Sequence, residues 1–215
     1  MGVEKNLEEL KGKIPSHVTL VAVSKTYPAS TVMEAYNAGQ RVFGENKVQE
    51  LCEKKEQMPD DIEWHLIGHL QSNKVKYIAP FVSMIHSVDS LKLLQEINKQ
   101  ARKFNRVINC LLQIHIAQEE TKFGLSYEEC EELLASEEYK QLKNIRVVGL
   151  MSMASNTNNK EQIRAEFRSL KQFYDKHISF FVLSIGMSSD YTIAIEEGST
   201  MIRVGSSIFG SRNYN

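Results

Sequence analysis

The chain has 215 residues, of which 42% are hydrophobic and 25% charged; this is enough for one well-packed domain over residues 1–215 and too little for two ordinary ones. Lys and Arg total 26 against 27 Asp and Glu, a formal net charge of −1, so no global field draws the protein to nucleic acid or to an anionic membrane, and any bound anion needs a local site. The cysteines Cys52, Cys110 and Cys130 are odd in number, widely spaced and without a C-x-x-C, which argues against a disulfide framework or structural zinc and fits reduced thiols in a cytoplasmic protein.

The N-terminal segment Met1 to Lys13 is charged and has no apolar h-region, unlike a secretory signal. A first helix is expected from Leu7 to about Lys13. Short apolar runs then alternate with helical stretches: Val18–Val23, Arg41–Gly44, Glu63–Ile67, Val82–Ser87, Val107–Ile116, Ile145–Leu150, Phe180–Ile185 and Met201–Val204. Their near-continuous apolar character is that of strands buried on both faces. Between the first two, Pro28 suits the first turn of a helix and Gly39 its C-terminal cap. Ser90–Phe104 places Leu91, Leu94, Ile97, Ala101 and Phe104 on one helical stripe. Ser126 with Glu129 predicts a capping box opening a helix through Leu133 and Leu134. Ile163, Phe167, Leu170 and Phe173 repeat the stripe.

Eight strands, each followed by a helix or turn, predict a (β/α)₈ TIM barrel with an extra N-terminal helix. The rival is an open doubly wound sheet, which usually carries a Gly-rich loop after its first strand. Here the first strand ends in Ser24-Lys25-Thr26-Tyr27-Pro28, and the Gly-rich turns follow the last two strands, where barrels commonly hold phosphate.

Lys25 lies at the C-terminal end of the first strand, on the functional face of a barrel. Near an apolar interior, desolvation disfavours its ammonium, and the neutral amine can form an imine with an aldehyde. The alternative is a lysine snorkelling to water. Ser184-Ile185-Gly186-Met187-Ser188-Ser189-Asp190 and Gly205-Ser206-Ser207 are two late turns whose glycines allow close approach and whose serines offer donors. Side by side they would cup a phosphate dianion; either alone is an ordinary serine-capped turn. Arg203, in the otherwise apolar Met201-Ile202-Arg203-Val204, needs a partner. That partner is either a carboxylate such as Glu196 or Glu197, or a pyridine nitrogen, which a permanently protonated guanidinium would leave unprotonated. The ring would then be a weak electron sink, suited to storage or simple proton exchange.

Long ordered motifs along nearly the whole chain resemble one family: Val21-Ala22-Val23-Ser24-Lys25-Thr26, Phe43-Gly44-Glu45-Asn46, Trp64-His65-Leu66-Ile67-Gly68-His69-Leu70-Gln71-Ser72-Asn73-Lys74, His86-Ser87-Val88-Asp89, Lys122-Phe123-Gly124, Gly149-Leu150-Met151 and the two late turns. The sequence resembles the pyridoxal phosphate homeostasis proteins, which share the barrel of the alanine racemase N-terminal domain. The resemblance implies pyridoxal 5′-phosphate (PLP) held as an imine to Lys25, Arg203 facing the pyridine nitrogen, and Ser188, Gly205 and Ser206 on the phosphate. It implies that Asn46 and Met151 line the ring's surroundings. Ile185 stands where methionine is common in that family and Ser206 where threonine is; neither change removes a donor.

His65 and His69 are four apart, but they fall on a strand interrupted by Gly68 with no evident third ligand, so no metal site is expected. Racemisation needs acid–base groups on both faces of the cofactor adduct. The chain ends at Asn215, soon after the eighth strand, so the second domain that carries the tyrosine of alanine racemase is not expected, and Tyr27 and Tyr191 do not match that tyrosine. A PLP carrier, buffer or regulator is therefore favoured, without a catalytic pair of its own, monomeric and with PLP-dependent apo-enzymes as candidate recipients. The alternative is a PLP-dependent racemase or related enzyme of low activity.

Overall fold

Strands form where aliphatic and β-branched side chains run without interruption, because such residues fit a pleated surface covered on both sides. The computed structural model describes residues 2–120 and 123–210, so Lys122 lies outside it. The strands are Thr19–Val23 (β1), Val42–Glu45 (β2), Glu63–Leu66 (β3), Met84–Val88 (β4), Ile108–Gln113 (β5), Ile145–Met151 (β6), Val182–Ser184 (β7) and Met201–Val204 (β8). Each falls on one of the eight apolar runs. All are parallel, and β1 pairs with both β2 and β8, closing the barrel in sequential order. The open doubly wound sheet is thereby set aside. No helix among the described residues is long and apolar enough to cross a membrane.

The helices are Val3–Lys11 (α1), Ala29–Asn37 (α2), Val48–Gln57 (α3), Val75–Ile78 (α4), Leu91–Lys103 (α5), Tyr127–Ala135 (α6), Glu137–Lys140 (α7), Lys160–Tyr174 (α8), Tyr191–Glu196 (α9) and Ser206–Phe209 (α10). The extra N-terminal helix starts earlier than Leu7, because Val3 shares a buried stripe with Leu7 and Leu10. It packs against α10, and Asn6 Nδ2 donates to the Ile208 carbonyl at 3.0 Å. Ser126 and Glu129 form the expected capping box, with both bonds present; a cap of this kind contributes roughly 1 kcal/mol. Ile163, Phe167, Leu170 and Phe173 are all buried along α8. Phe104 departs from its predicted stripe: it is the C-cap of α5 and is half exposed, while Leu93 is buried in its stead. Cys110 and Cys130 are buried free thiols and Cys52 is half-buried.

Strand alternation builds the interior in layers. Val21, Met84, Leu111, Val148, Met151, Val182 and Met201 form an apolar plug inside the barrel. Two residues further along the same strands come Val23, His86, Gln113, Ser184 and Arg203, so the interior turns polar toward the C-terminal ends. The β6–β7 approach depends on Gly149, where a Cβ would sit 1.7 Å from the Val182 carbonyl oxygen.

Candidate functional site

Because the strands are parallel and twisted into a closed barrel, their C-terminal ends converge on one mouth. A cavity of about 460 Å³ opens there, lined in part by Lys25, Asn46, Ser188, Arg203, Gly205 and Ser206. Six of the seven residues singled out from sequence thus share one cavity, of a size ordinary for a small-molecule site. Met151 is the exception. It lies in the apolar plug, and Met153, two residues on and facing the same side, lines the cavity instead.

Lys25 follows β1 and is half-buried. The next residue, Thr26, has φ of 71°, a left-handed backbone rare for a β-branched side chain. Asn46 follows β2 and is set by Gly68, whose added Cβ would come within 2.3 Å of the Asn46 carbonyl oxygen. Val23, Ile67, Met153 and Met187 supply the apolar part of the wall.

The two late turns are adjacent. The Gly205 N–H donates to Ser188 Oγ at 3.3 Å, joining the turn after β7 to the turn after β8. Gly186, at φ 101°, lets the first turn reverse, and its carbonyl accepts from the Arg203 N–H at 2.9 Å. The Asp190 carboxylate accepts from the Met187 N–H at 2.6 Å and pins the same loop.

Arg203 is 4% exposed. Its Nη1 donates to the Ser184 carbonyl at 2.8 Å and to Ser184 Oγ at 2.6 Å, and its Nη2 donates to the Ser152 carbonyl at 3.0 Å. Burial lowers its pKa to about 10, offset in part by Asp190, so it stays protonated at neutral pH. Glu196 and Glu197, the carboxylates nearest in sequence, are not its partners. They pair with Arg164 and Arg168 on α8 at the surface.

The polar layer continues across the barrel in a way the sequence did not disclose. His86 Nδ1 lies 3.0 Å from Ser184 Oγ, and His86 Nε2 lies 2.9 Å from His65 Nδ1. Burial holds His65 down to about 4; burial also holds His86 well below its ordinary value, with His65 and Arg203 adding to the effect. His65 is therefore a bonded core histidine. His69 stacks on Phe123 at 4.3 Å. Among the described residues no group of three His, Cys, Asp or Glu side chains is placed to hold a metal ion. Tyr27 turns away from the cavity, its hydroxyl donating to the Gly210 carbonyl at 2.7 Å.

A strand-end amine, a buried guanidinium and two joined glycine–serine turns in one barrel mouth have counterparts among known proteins. The alanine racemase N-terminal domain family matches residues 2–213. The pyridoxal phosphate homeostasis protein of Aquifex aeolicus is 42% identical over 213 residues, covering 96% of this chain and 92% of its own length. This chain belongs to that family. The protein of the same name from Escherichia coli K12 is 40% identical over 215 residues, covering 95% of this chain and 90% of its own. Among solved structures, PipY of Synechococcus elongatus, determined with PLP bound, superposes with a TM-score of 0.89 at 35% identity, covering 97% of this chain and all of its own. Alanine racemase of Clostridium difficile shares the fold alone, with a TM-score of 0.81 at 14% identity, and this chain spans 58% of it.

Some lining residues were not singled out from sequence. Val23, Ile67 and Met187 lie within motifs that were, and strand alternation would have placed Val23 two residues before Lys25. Ser184 and His86 carried the same signal as Arg203, a polar side chain inside an apolar strand.

Proposed function

We propose that the cavity at the barrel mouth binds PLP through Lys25 and that the protein acts in PLP homeostasis as a carrier, buffer or regulator, without a complete catalytic pair. The observation that carries this reading is the joining of the two late turns by the Gly205–Ser188 bond, in the same cavity as Lys25 and Arg203. When bound, the cofactor supplies an aldehyde that the Lys25 amine takes up covalently and a ring that acts as an electron sink. The residues present fit it. The backbone N–H groups and hydroxyls of Ser188, Gly205 and Ser206 suit a phosphate dianion. Arg203 is donor-only and fixed by three bonds, which suits a ring nitrogen kept unprotonated. Asn46 and Met153 would border the ring from the cavity wall, and Met151 stays in the apolar plug.

Carriage is favoured over racemisation by the placement of Tyr27, the phenol nearest Lys25 in sequence, which is committed to Gly210. The names of the relatives point the same way, and PipY was solved with PLP bound. The test is to incubate the protein with PLP, reduce with borohydride and map the peptides. The label should fall on Lys25 and vanish in Lys25→Ala; a wild-type protein with no label there refutes the reading. Exchange of amino-acid α-protons into deuterated water should not exceed that of free PLP. Exchange above that level would move the protein to the racemase-like alternative.

A further inference from the structure

Lys25 is flanked by a cluster that the cofactor site does not use. Lys54, on α3, is 4% exposed. A buried ammonium is retained only where several oxygens meet it, and here there are three. Lys54 Nζ donates to the Ser24 carbonyl at 2.6 Å, to Glu45 Oε1 at 2.6 Å and to Glu50 Oε1 at 2.7 Å. The Ser24 hydroxyl donates to the same Glu45 oxygen at 2.6 Å. Glu50 Oε1 also accepts the backbone N–H of Thr26 at 2.6 Å.

The Ser24 carbonyl belongs to the peptide unit that precedes Lys25, and the Thr26 N–H to the unit that follows it. These are the two planes whose rotation sets φ and ψ of Lys25, and hence the direction in which its side chain leaves the backbone. Lys54 holds the first and Glu50 the second, and the two are ion-paired to each other. The turn they hold is one that relaxes if released, because Thr26 sits at φ 71°, which persists in a β-branched residue only where the surroundings impose it. A buried ion pair kept for stability alone has no need to engage both peptide planes of one residue, and such pairs are in any case weak stabilisers.

We infer that Lys54 and Glu50 are positioning residues for Lys25: their ion pair clamps the two peptide units around it and aims its amine into the cavity. This rests on Lys25 being the cofactor lysine, as proposed above.

The experiment titrates the full-length protein with PLP and reads Lys25 labelling by borohydride together with the absorbance spectrum of the bound cofactor. Lys54→Met and Glu50→Ala should each weaken apparent affinity about tenfold or more, as expected for a reacting group displaced by a fraction of its length. Lys55→Met, one residue along the same helix, should bind as wild type. Adding Thr26→Gly to either variant should recover much of the labelling, since glycine adopts the left-handed conformation without restraint; a merely structural role predicts no such selective recovery. Should Lys54→Met fail to fold, Glu50→Ala and its Thr26→Gly combination decide alone. Normal labelling and spectrum in folded Lys54→Met or Glu50→Ala, beside a labelled wild type, overturns the inference. No label at Lys25 in wild type overturns the cofactor reading and this inference with it.

Discussion

The hydroxyl of Ser184 connects Arg203 to His86: Arg203 Nη1 donates to it at 2.6 Å, and His86 Nδ1 lies 3.0 Å on its other side. A guanidinium has no acceptor, so the only use this chain of bonds has for the Ser184 proton is a bond to His86 Nδ1, and that is the direction we predict. Burial keeps both histidines neutral at pH 7, and a neutral imidazole has one donor and one acceptor. His86 therefore carries its proton on Nε2 and donates to His65 Nδ1. Nitrogen-15 NMR should report that tautomer for His86; a proton on Nδ1 would contradict the direction of the chain. Ser184→Ala strands His86 Nδ1 without a donor and should cost about 1–3 kcal/mol in urea unfolding.

Gly68→Ala should damage stability and binding together. Its new Cβ would lie 2.3 Å from the Asn46 carbonyl oxygen and 2.7 Å from Asn46 Cα. Both are backbone atoms and cannot rotate aside, so Asn46 must leave its place in the cavity wall. Overpacking of this kind costs about 1–3 kcal/mol. Gly12→Ala is the contrast, because a Cβ there meets only ordinary contacts at 3.5 and 3.6 Å and the backbone is already right-handed, with φ −65°. It should hold or gain stability. Thermal melts and PLP labelling of the two variants check the pair, and equal behaviour would refute the argument.

What could be read from the chain alone follows from range. Both-face burial writes each parallel strand as a continuous apolar run, so all eight strands were legible, as were the Ser126–Glu129 box and the α8 stripe. Lys25 and the late turns were legible because strand ends face the functional side of a barrel. Partners across the barrel were not. Ser184 and His86 are 98 residues apart, and no local pattern brings them together. Sequence proximity also suggested Glu196 or Glu197 for Arg203, whereas α9 carries them outward to Arg164 and Arg168. Lys54 sits in Glu53-Lys54-Lys55-Glu56, which reads as a solvated helix face; only the fold shows that one of these lysines points inward.

Met151 and Met153 separate packing from binding. Met151 is 1% exposed within the apolar plug, so Met151→Ala should cost about 2–5 kcal/mol through the cavity it leaves, with PLP binding largely preserved in the folded fraction. Met153 lines the mouth and is only half-buried. Met153→Ala should leave the unfolding free energy nearly unchanged and weaken PLP binding. Urea unfolding and labelling of the two variants check this; the reverse pattern would return Met151 to the site.

Acid should weaken the fold before ordinary carboxylates titrate. An unfolded histidine takes up its proton near 6.5, whereas burial holds folded His65 at about 4 and His86 well below its ordinary value. Between those limits the unfolded chain binds more protons, so stability is fully present above pH 6.5 and is lost as pH falls toward 4. Each histidine contributes up to about 1.4 kcal/mol per pH unit across that window. Glu45 works against them. Burial raises its pKa above the usual carboxylate range despite Lys54 and Ser24, and its Oε2 is buried without a partner. The folded protein therefore takes up that proton at a higher pH than the unfolded chain does, which favours folding as pH falls. Urea unfolding between pH 7.5 and 5.5 should show a net loss smaller than two histidines would give. Glu45→Gln removes the opposing proton uptake, so its stability should fall more steeply with acid; an equal or shallower slope would show that Glu45 is already ionised through this range.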